Sequence, residues 1–493
     1  MKRIIGSLLA AAVAFGGFGS LRVDANGDKI LNVLDVVNLR PCIVNGTELS
    51  EEEFARSDVN GDGSIDVTDV VIALSVIVNG ADSDSDAPKI NGISADEFVI
   101  VIPEKATELE LNAAGYIKKD IAADCGVDIA VVNETAGSHD HEIIVGDART
   151  RELVNTAKSA EGTSFEYRII PDKTSIAVYG DSFLESAAAY SFAQMVDGAR
   201  EMKIDAVIAE PVPAEARNIV LVIGDGMGPE HVELLSAYKG YTNSGSVLRT
   251  DFLAKRLPAK GFAITCNVNG EITDSAAAAT ALSTGVKTAN GRIGRDKDGN
   301  DLKLMTERAA ENGVYSAVLS TDLYTGATPS GFTAHANDRS ETDAILESQK
   351  SSKADSIVCK IPSDSVRTEI GKALSAAGDN KFFMMYEEAY IDKYSHNNNL
   401  NGVYSALNDI NRAVEEIMSY AMYHPDTAVI ITADHETGGL IVDGANETFK
   451  FTSKNHTGAN VPVFAYGAGT EIFNGATVDN TDISKFIASV IES

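Results

Sequence analysis

Ser275 lies in the segment Thr273-Asp274-Ser275-Ala276-Ala277-Ala278-Ala279-Thr280-Ala281-Leu282, where an acidic residue and a serine precede a run of small residues. The alanines predict a helix that starts near the serine and packs closely against other backbone. At such a helix N-terminus, unpaired N–H groups and the helix dipole favour an anion or an alkoxide. A tightly packed, capped helix explains the segment equally well, so its function depends on what else the fold brings to Ser275.

Strands and helices alternate from Arg217 onward, as a parallel α/β sheet requires. Two buried strands, 218–223 and 428–432, end in acidic segments among glycines, where open α/β sheets place their sites. Two further segments supply an aspartate and a histidine at i, i+4 and a histidine before an apolar strand. In chain order the candidate metal ligands are Asp225, Asp392, His396, Asp434, His435 and His456.

These six side chains supply enough ligands for two divalent ions, and imidazole with carboxylate suits zinc. One ion would lower the pKa of a serine hydroxyl or a water, and the other would stabilise the leaving oxygen in an in-line displacement. A serine activated in this way needs no histidine base. The pattern therefore favours Ser275 as a nucleophile.

Six motifs in this order resemble the alkaline phosphatase family over roughly residues 215–490: GDGMG, TDSAAAATAL, ATPSGFTAH with a following arginine, E-x4-D-x3-H, ADHETGG and HTG. The resemblance implies a three-layer α/β/α fold with a mainly parallel sheet. It also implies that Ser275 becomes phosphoserine during the hydrolysis of phosphate monoesters.

The same resemblance implies a role for each matching residue. One zinc ion would be held by Asp392, His396 and His456, the other by Asp225, Asp434 and His435, and one magnesium ion by Asp225, Thr328 and Glu387. Arg339 would fork onto two phosphate oxygens, and Lys393 would place a cation beside Asp392.

Two departures from the family pattern are visible. Gly326 stands where some bacterial relatives carry an acidic residue, two positions before Thr328, which predicts an altered outer shell for the third metal. The stretches 339–387 and 435–456 are short, so insertions that often cap a dimer are expected to be absent. A monomer or an unusual interface is therefore expected.

An internal repeat near the N-terminus has the oxygen spacing of twelve-residue calcium loops. Each copy leads into an apolar helical segment, and aspartate at loop position 12 makes the pair resemble a type I dockerin. The resemblance implies two calcium ions and a cohesin partner on a cellulosome-like scaffold. The candidate calcium ligands are Asp24, Asn26, Asp28, Asn32 and Asp35 in the first loop and Asp58, Asn60, Asp62, Ser64, Asp66 and Asp69 in the second.

The remaining sequence completes the predicted organisation. Lys2-Arg3 and a short apolar run resemble a secretory signal, which predicts a secreted protein. The region after the linker resembles the small α+β domain that precedes α-glucuronidase-type catalytic domains. The predicted segments are a signal peptide (1–20), a dockerin (21–80), a linker (81–92), an α+β domain (93–212) and a phosphatase-like domain (213–493).

Charge and cysteine usage narrow the function further. The formal net charge of -31 argues against nucleic acid and anionic membranes as partners. The cysteines Cys42, Cys125, Cys266 and Cys359 are widely separated, and no bridge is assigned. His139-Asp140-His141 is interpreted as a solvated loop, with a metal cluster as the alternative.

Three functions stay open at this level. A phosphomonoesterase is favoured because Arg339 and the magnesium ligands complement a doubly charged terminal phosphate. A phosphodiesterase or a sulfatase on the same fold is the second, and a non-catalytic module attached to a scaffold is the third.

Overall fold

The computed structural model describes residues 87–238 and 251–493, together with Ser64, Ile65 and Val70. Its contacts divide the chain into residues 1–87 and residues 88–493. The predicted signal segment, the predicted calcium ligands other than Ser64 and residues 81–86 of the predicted linker lie outside the described residues.

Residues 89–209 form a six-stranded mixed sheet with helices and a small three-stranded sheet. Its elements are β1 (Lys89–Ile90), β2 (Ile93–Ser94), β3 (Val99–Ile102), α1 (Glu108–Cys125), β4 (Val131–Asn133), β5 (Glu142–Val145), α2 (Glu152–Ser159), β6 (Tyr167–Pro171), β7 (Ser175–Tyr179), α3 (Leu184–Met195), β8 (Glu201–Met202) and β9 (Val207–Ala209). The larger sheet has the order β4-β3-β5-β7-β6-β9, parallel from β4 to β7 and antiparallel beyond.

The folded region begins earlier than the sequence predicted. Lys89 and Ile90 were expected in the linker, but they form β1, which pairs with β2 and β8. The Ile90 side chain is fully buried, and this burial is what draws the end of the polar linker into the sheet.

Residues 218–492 form a second region, in which helices and a sheet are arranged in layers. Its elements are β10 (Asn218–Gly224), α4 (Pro229–Ala237), β11 (Ala259–Ile264), α5 (Ser275–Thr284), α6 (Met305–Glu311), β12 (Tyr315–Ser320), α7 (Ala327–Thr333), α8 (Thr342–Gln349), β13 (Ser356–Val358), α9 (Val366–Ala377), β14 (Phe382–Glu388), α10 (Tyr390–His396), α11 (Leu400–Tyr423), β15 (Thr427–Thr432), β16 (Glu436–Thr437), β17 (Leu440–Asp443), β18 (Thr448–Phe451), β19 (His456–Thr457), β20 (Val461–Tyr466), β21 (Thr477–Asp479) and α12 (Asn480–Glu492).

The main sheet of this region has eight strands in the order β13-β12-β14-β10-β15-β20-β11-β21. Its pairs are parallel except where β20 lies between β15 and β11. Every residue of β10, β14 and β15 is buried, as expected for parallel strands covered on both faces. Helices α4, α9 and α11 pack together as one group, and α5, α6 and α12 as another. The predicted layered fold with a mainly parallel sheet is confirmed.

The two regions share a packed interface within residues 88–493. The rings of Tyr116 and Tyr423 stack with centroids 4.5 Å apart. The hydroxyls of Ser186 on α3 and Ser419 on α11 lie 2.7 Å apart and are buried. Phe183 belongs to the same apolar core as β10. No helix in the described part of the chain combines the length and apolar character needed to cross a bilayer.

Candidate active site

Ser275 is the first residue of helix α5, as the sequence predicted. Asp274 is the N-cap, and its Oδ1 accepts a hydrogen bond from the Ala277 N–H at 3.0 Å. Ser275 is only 4% exposed, and its hydroxyl lies 3.1 Å from Nε2 of His435. The helix start therefore presents a single buried hydroxyl to the ends of the central strands.

The three predicted histidine ligands are oriented in the same way. Each Nδ1 faces an oxygen of the protein: the Lys454 carbonyl for His396, the Thr437 hydroxyl for His435 and the Thr273 carbonyl for His456. A carbonyl can only accept, so Nδ1 carries the proton in His396 and His456. In the neutral rings this leaves the Nε2 lone pairs turned toward the predicted site, the arrangement typical of metal-binding histidines.

The tautomer of His435 follows from a chain of hydrogen bonds. Thr437 donates its only hydroxyl proton to Oδ1 of Asp392, so it accepts from Nδ1–H of His435 at 3.2 Å. The unprotonated Nε2 then accepts from the Ser275 hydroxyl and lies 3.2 Å from Oδ2 of Asp434. Complete burial lowers the pKa of His435 to about 4, which keeps this ring neutral. A lone pair held against a carboxylate oxygen fits a cation between them.

The side chains converge into two sets with metal-ligating geometry. One consists of Asp392, His396 and His456, and the other of Asp225, Asp392 and His435, with the ligand atoms of each set within 4.8 Å of one another. The first set is the group expected for one zinc ion. The second differs from expectation because Asp392 takes part in both, while Asp434 lies beside His435.

Four predicted ligands carry buried oxygen atoms without a hydrogen-bond partner. These atoms are Asp225 Oδ1, Thr328 Oγ1, Glu387 Oε1 and Asp434 Oδ2. A buried, unpaired polar atom costs roughly 1–3 kcal/mol. Because divalent cations bind carboxylate and hydroxyl oxygens, the residues at this site fit bound metal ions.

Burial and mutual repulsion raise the pKa values of two acidic residues at the site, Asp225 and Glu387. Burial and the charges of Asp434, Asp392 and Glu387 raise the pKa of Asp225 well above its usual range. Burial and then Asp322 raise the pKa of Glu387 to about 8. A cation would relieve both effects, since it favours the ionised carboxylates.

Asp392 behaves differently because imidazoles face it. Burial alone would raise its pKa, but hydrogen bonds from His396 and His456 outweigh burial and lower it. The hydrogen bond to Asp392 in turn raises the pKa of His396 to about 9. Protons and metal ions compete for these Nε2 atoms, so metal binding here releases protons.

Lys393 is paired with a carboxylate that the sequence analysis missed. Its ammonium forms an ion pair with Asp322 and lies 4.7 Å from the centroid of the Tyr390 ring. A Cβ on Gly326 would lie 2.6 Å from Oδ2 of Asp322. The carboxylate of Asp322 therefore occupies the space that a side chain at position 326 would need.

Arg339 lies beside the start of helix α5. Its guanidinium forms an ion pair with Oδ2 of Asp274 at 3.3 Å, and 41% of its side chain is exposed. The same Asp274 oxygen accepts from the Gly291 N–H at 3.0 Å. Asp274 thus holds both the helix that carries Ser275 and the arginine, while part of the guanidinium stays open to solvent.

The residues that the sequence analysis missed have weak local signals. Asp322 follows a buried strand at the same sheet edge as Asp225, and this position could have singled it out. Thr437 stands inside ADHETGG, but its hydrogen bonds to Asp392 and His435 depend on the packing of separate elements.

Two other predictions can be compared with the structure. The loop around His139 and His141 belongs to neither metal-ligating set found among the described residues. His139 lies 3.5 Å from a carboxylate oxygen of Glu142, and His141 lies 3.8 Å from one of Glu97. Cys125, Cys266 and Cys359 are unpaired thiols.

The site fits metal ions beside a buried serine at the edge of an α/β sheet. Residues 216–366 and 361–451 match the family described as alkaline phosphatase, and residues 22–73 match the type I dockerin domain. The chain therefore contains an alkaline-phosphatase-family domain together with a type I dockerin domain. The resemblance of residues 93–212 to an α-glucuronidase-type domain stays a prediction.

Similar proteins agree with this family. Alkaline phosphatase 4 of Bacillus subtilis (strain 168) is 25% identical, and the match covers 57% of this chain and 90% of that protein. Streptomycin-6-phosphate phosphatase of Streptomyces griseus is 36% identical, and the match covers 26% of this chain and 28% of that protein. The solved alkaline phosphatase of the Antarctic bacterium TAB5 is 26% identical, with a TM-score of 0.50, covering 57% of this chain and 99% of that one.

Proposed function

We propose that this protein is a secreted phosphomonoesterase in which Ser275 attacks phosphate monoesters and is transiently phosphorylated. The observation that carries the proposal is the contact of the Ser275 hydroxyl with Nε2 of His435, amid the two ligand sets that share Asp392. Two zinc ions and a magnesium ion bound there would supply positive charge that lowers the pKa of the hydroxyl and stabilises the leaving oxygen.

In the first step Oγ of Ser275 attacks phosphorus in line with the ester oxygen. The bond from Oγ to phosphorus forms as the ester P–O bond breaks. The proton of the Ser275 hydroxyl passes to water, and the leaving alkoxide takes a proton from water. The first turn of helix α5 stabilises the phosphate through its N–H groups and dipole. The guanidinium of Arg339, tethered by Asp274, hydrogen-bonds two equatorial phosphate oxygens.

In the second step water attacks the phosphoserine from the side that the alcohol has left. The bond between phosphorus and Oγ breaks, and inorganic phosphate leaves while Ser275 regains a proton. Because Ser275 is buried, only a molecule that enters the site can attack its phosphate. Asp322 holds Lys393 at its edge, where the ammonium can face an incoming dianion.

Arg339→Ala is expected to lower kcat/KM for an aryl phosphate monoester by about 10- to 1000-fold. Two charge-assisted hydrogen bonds would be lost, at about 1.5–3 kcal/mol each before partial compensation by water. A bis-aryl diester has one charge fewer and should lose much less. Steady-state rates on the two esters measure the difference.

Arg339→Lys is the matched variant for that comparison. Lysine keeps the charge but not the planar fork, so its kcat/KM for the monoester should lie between those of the wild type and Arg339→Ala. A wild-type enzyme that cleaves the diester faster than the monoester would contradict a monoesterase. Equal losses on both esters would contradict the assigned role of Arg339.

We further propose that the dockerin anchors the enzyme to a cohesin on an extracellular scaffold. The matched dockerin segment contains both predicted calcium loops, and each loop begins with an aspartate, Asp24 or Asp58. We expect calcium to bind the oxygen atoms of these loops, because a hard cation offsets the repulsion among their carboxylates. The enzyme and its anchor would then depend on different metal ions.

Replacing Asp24 and Asp58 together with alanine is expected to weaken binding to an immobilised type I cohesin by about 100-fold or more. Turnover of the aryl monoester should stay within about twofold of the wild type, because the calcium ligands and the catalytic residues belong to different segments of the chain. Asp82→Ala, in the adjacent acidic linker, serves as the control. Wild-type cohesin binding in the double variant, or no binding by the wild type with calcium, would contradict the anchor.

A further inference from the structure

His231 is a buried histidine that has no role in the proposed phosphatase mechanism. It is the third residue of helix α4, whose N-cap is Gly228 in the segment Gly224-Asp225-Gly226-Met227-Gly228. Its side chain is fully buried. The Gly228 N–H donates to Nδ1 of His231 at 3.1 Å, so the ring satisfies one of the unpaired donors at the helix start.

The second nitrogen reaches a different element. Nε2 of His231 lies 3.0 Å from the hydroxyl of Ser395, which is also fully buried. Because the Gly228 N–H can only donate, Nδ1 must be the acceptor, and the proton of the neutral ring is on Nε2. His231 therefore donates to Ser395. Burial lowers the pKa of His231 to about 4, which preserves this state near neutral pH.

Ser395 stands on helix α10 between Asp392 and His396, two of the proposed zinc ligands. His231 thus joins the loop that carries Asp225 to the helix that carries Asp392, and both aspartates belong to one metal-ligating set. A hydrogen bond at each ring nitrogen fixes the separation of these two elements.

The loop and the helix also touch directly, but that contact is of a different kind. Gly226 has φ +76°, and a Cβ there would lie 2.8 Å from Cα of Asp392. Such a backbone contact limits how near the helix can come and gives no directional bond along its axis. The bond from His231 to Ser395 supplies the direction, and a shift of about 1 Å matters in a metal site.

We propose that His231 is a positioning residue that holds helix α10 in register with the Asp225 loop, and so sets the geometry of the two metal-ligating sets. The inference rests on the proposed function, because it takes Asp225, Asp392 and His396 as metal ligands. The hydrogen bonds of His231 go to Gly228 and Ser395, not to a ligand atom or the Ser275 hydroxyl, so its proposed effect on catalysis is indirect.

His231→Leu tests the inference, with zinc affinity measured by competition with a chromophoric chelator on the full-length protein. We expect a loss of about 10- to 100-fold, the range for residues that orient metal ligands. The visible spectrum of the cobalt-substituted protein should also change, because it reports coordination geometry. A merely structural residue would change the melting temperature and leave this spectrum as it was.

His231→Gln and Ser395→Ala complete the set. Glutamine at the third helical position can accept from the N-cap N–H and donate from its amide, so it should restore zinc affinity to within about threefold of the wild type. Ser395→Ala should weaken zinc binding, and its effect should not add to that of His231→Leu. Ser419→Ala removes a buried hydroxyl outside the site and controls for general destabilisation.

The outcomes separate the inference from the proposed function. A wild-type protein that binds no zinc would overturn both. A wild type that binds zinc, with His231→Leu unchanged in zinc affinity and cobalt spectrum, would overturn only the positioning role. Should His231→Leu fail to fold, Ser395→Ala decides: unchanged affinity and spectrum in that variant overturn the inference, and a loss of both supports it.

Discussion

Ser275→Ala is expected to lower kcat for aryl phosphate monoesters by about 10⁴- to 10⁶-fold, as loss of a covalent nucleophile does in other hydrolases. The Ser275 hydroxyl is buried at the start of helix α5, against Nε2 of His435. Alanine suits this helix, so the fold and the ligand sets should survive the change. Pre-steady-state and steady-state rates measure the loss. Acid quenching with a ³²P-labelled ester should trap label on Ser275 in the wild type.

Ser283→Ala is the matched control for this prediction. Ser283 lies on the same helix, is equally buried, and its hydroxyl accepts only a structural hydrogen bond from the Met305 N–H at 3.3 Å. Its turnover should stay near that of the wild type. Residual activity above about 1% in Ser275→Ala, or label on another residue, would rule out Ser275 as the nucleophile.

Asp392→Asn is expected to have the second large effect, because Asp392 belongs to both metal-ligating sets. The amide keeps an oxygen that can accept from Thr437, so the local fold is retained while a negative charge is lost. Zinc affinity should fall by at least about 100-fold, since a directly coordinating group should matter more than one that only orients ligands. Activity should fall with it. Zinc content measured by atomic emission on the dialysed protein, together with kcat, tests both effects.

Asp409→Asn provides the comparison outside the site. Asp409 is a buried carboxylate held by Ser363 and Arg412, and it belongs to neither ligand set. Its zinc content should equal that of the wild type. Full zinc occupancy in Asp392→Asn would show that the Asp392 carboxylate is not needed for zinc binding. Each set would then bind its ion without it.

Local residue patterns gave the start of helix α5 and the strands beneath the site. Asp274 and the alanines that follow Ser275 favour a helix start, and this signal lies within a few neighbouring residues. The apolar runs 218–223 and 428–432 encode buried parallel strands. Both features depend on neighbouring residues, so the sequence could predict them. The polar linker was predicted to extend too far, because one of the two partners of β1, strand β8, lies more than a hundred residues away in the chain.

The geometry within the site could not be read in the same way. Asp392 belongs to both ligand sets, and Asp322 fills the space beside Gly326. Both features follow from how separate loops pack. The register between the Asp225 loop and helix α10 depends likewise on the His231 bond to Ser395. These contacts join residues that are distant in the chain, and side-chain type alone does not fix such distances.

Residue types and their order in the chain were enough to name the side chains that could bind metal and the hydroxyl that could attack phosphate. Residue chemistry and position at a strand or helix end are local properties, so Ser275, Asp225 and His435 could be named without a structure. Tertiary packing places Asp392 in both sets and sets which nitrogen of each histidine faces the site. Those features arise when distant elements pack together and pair their buried donors and acceptors.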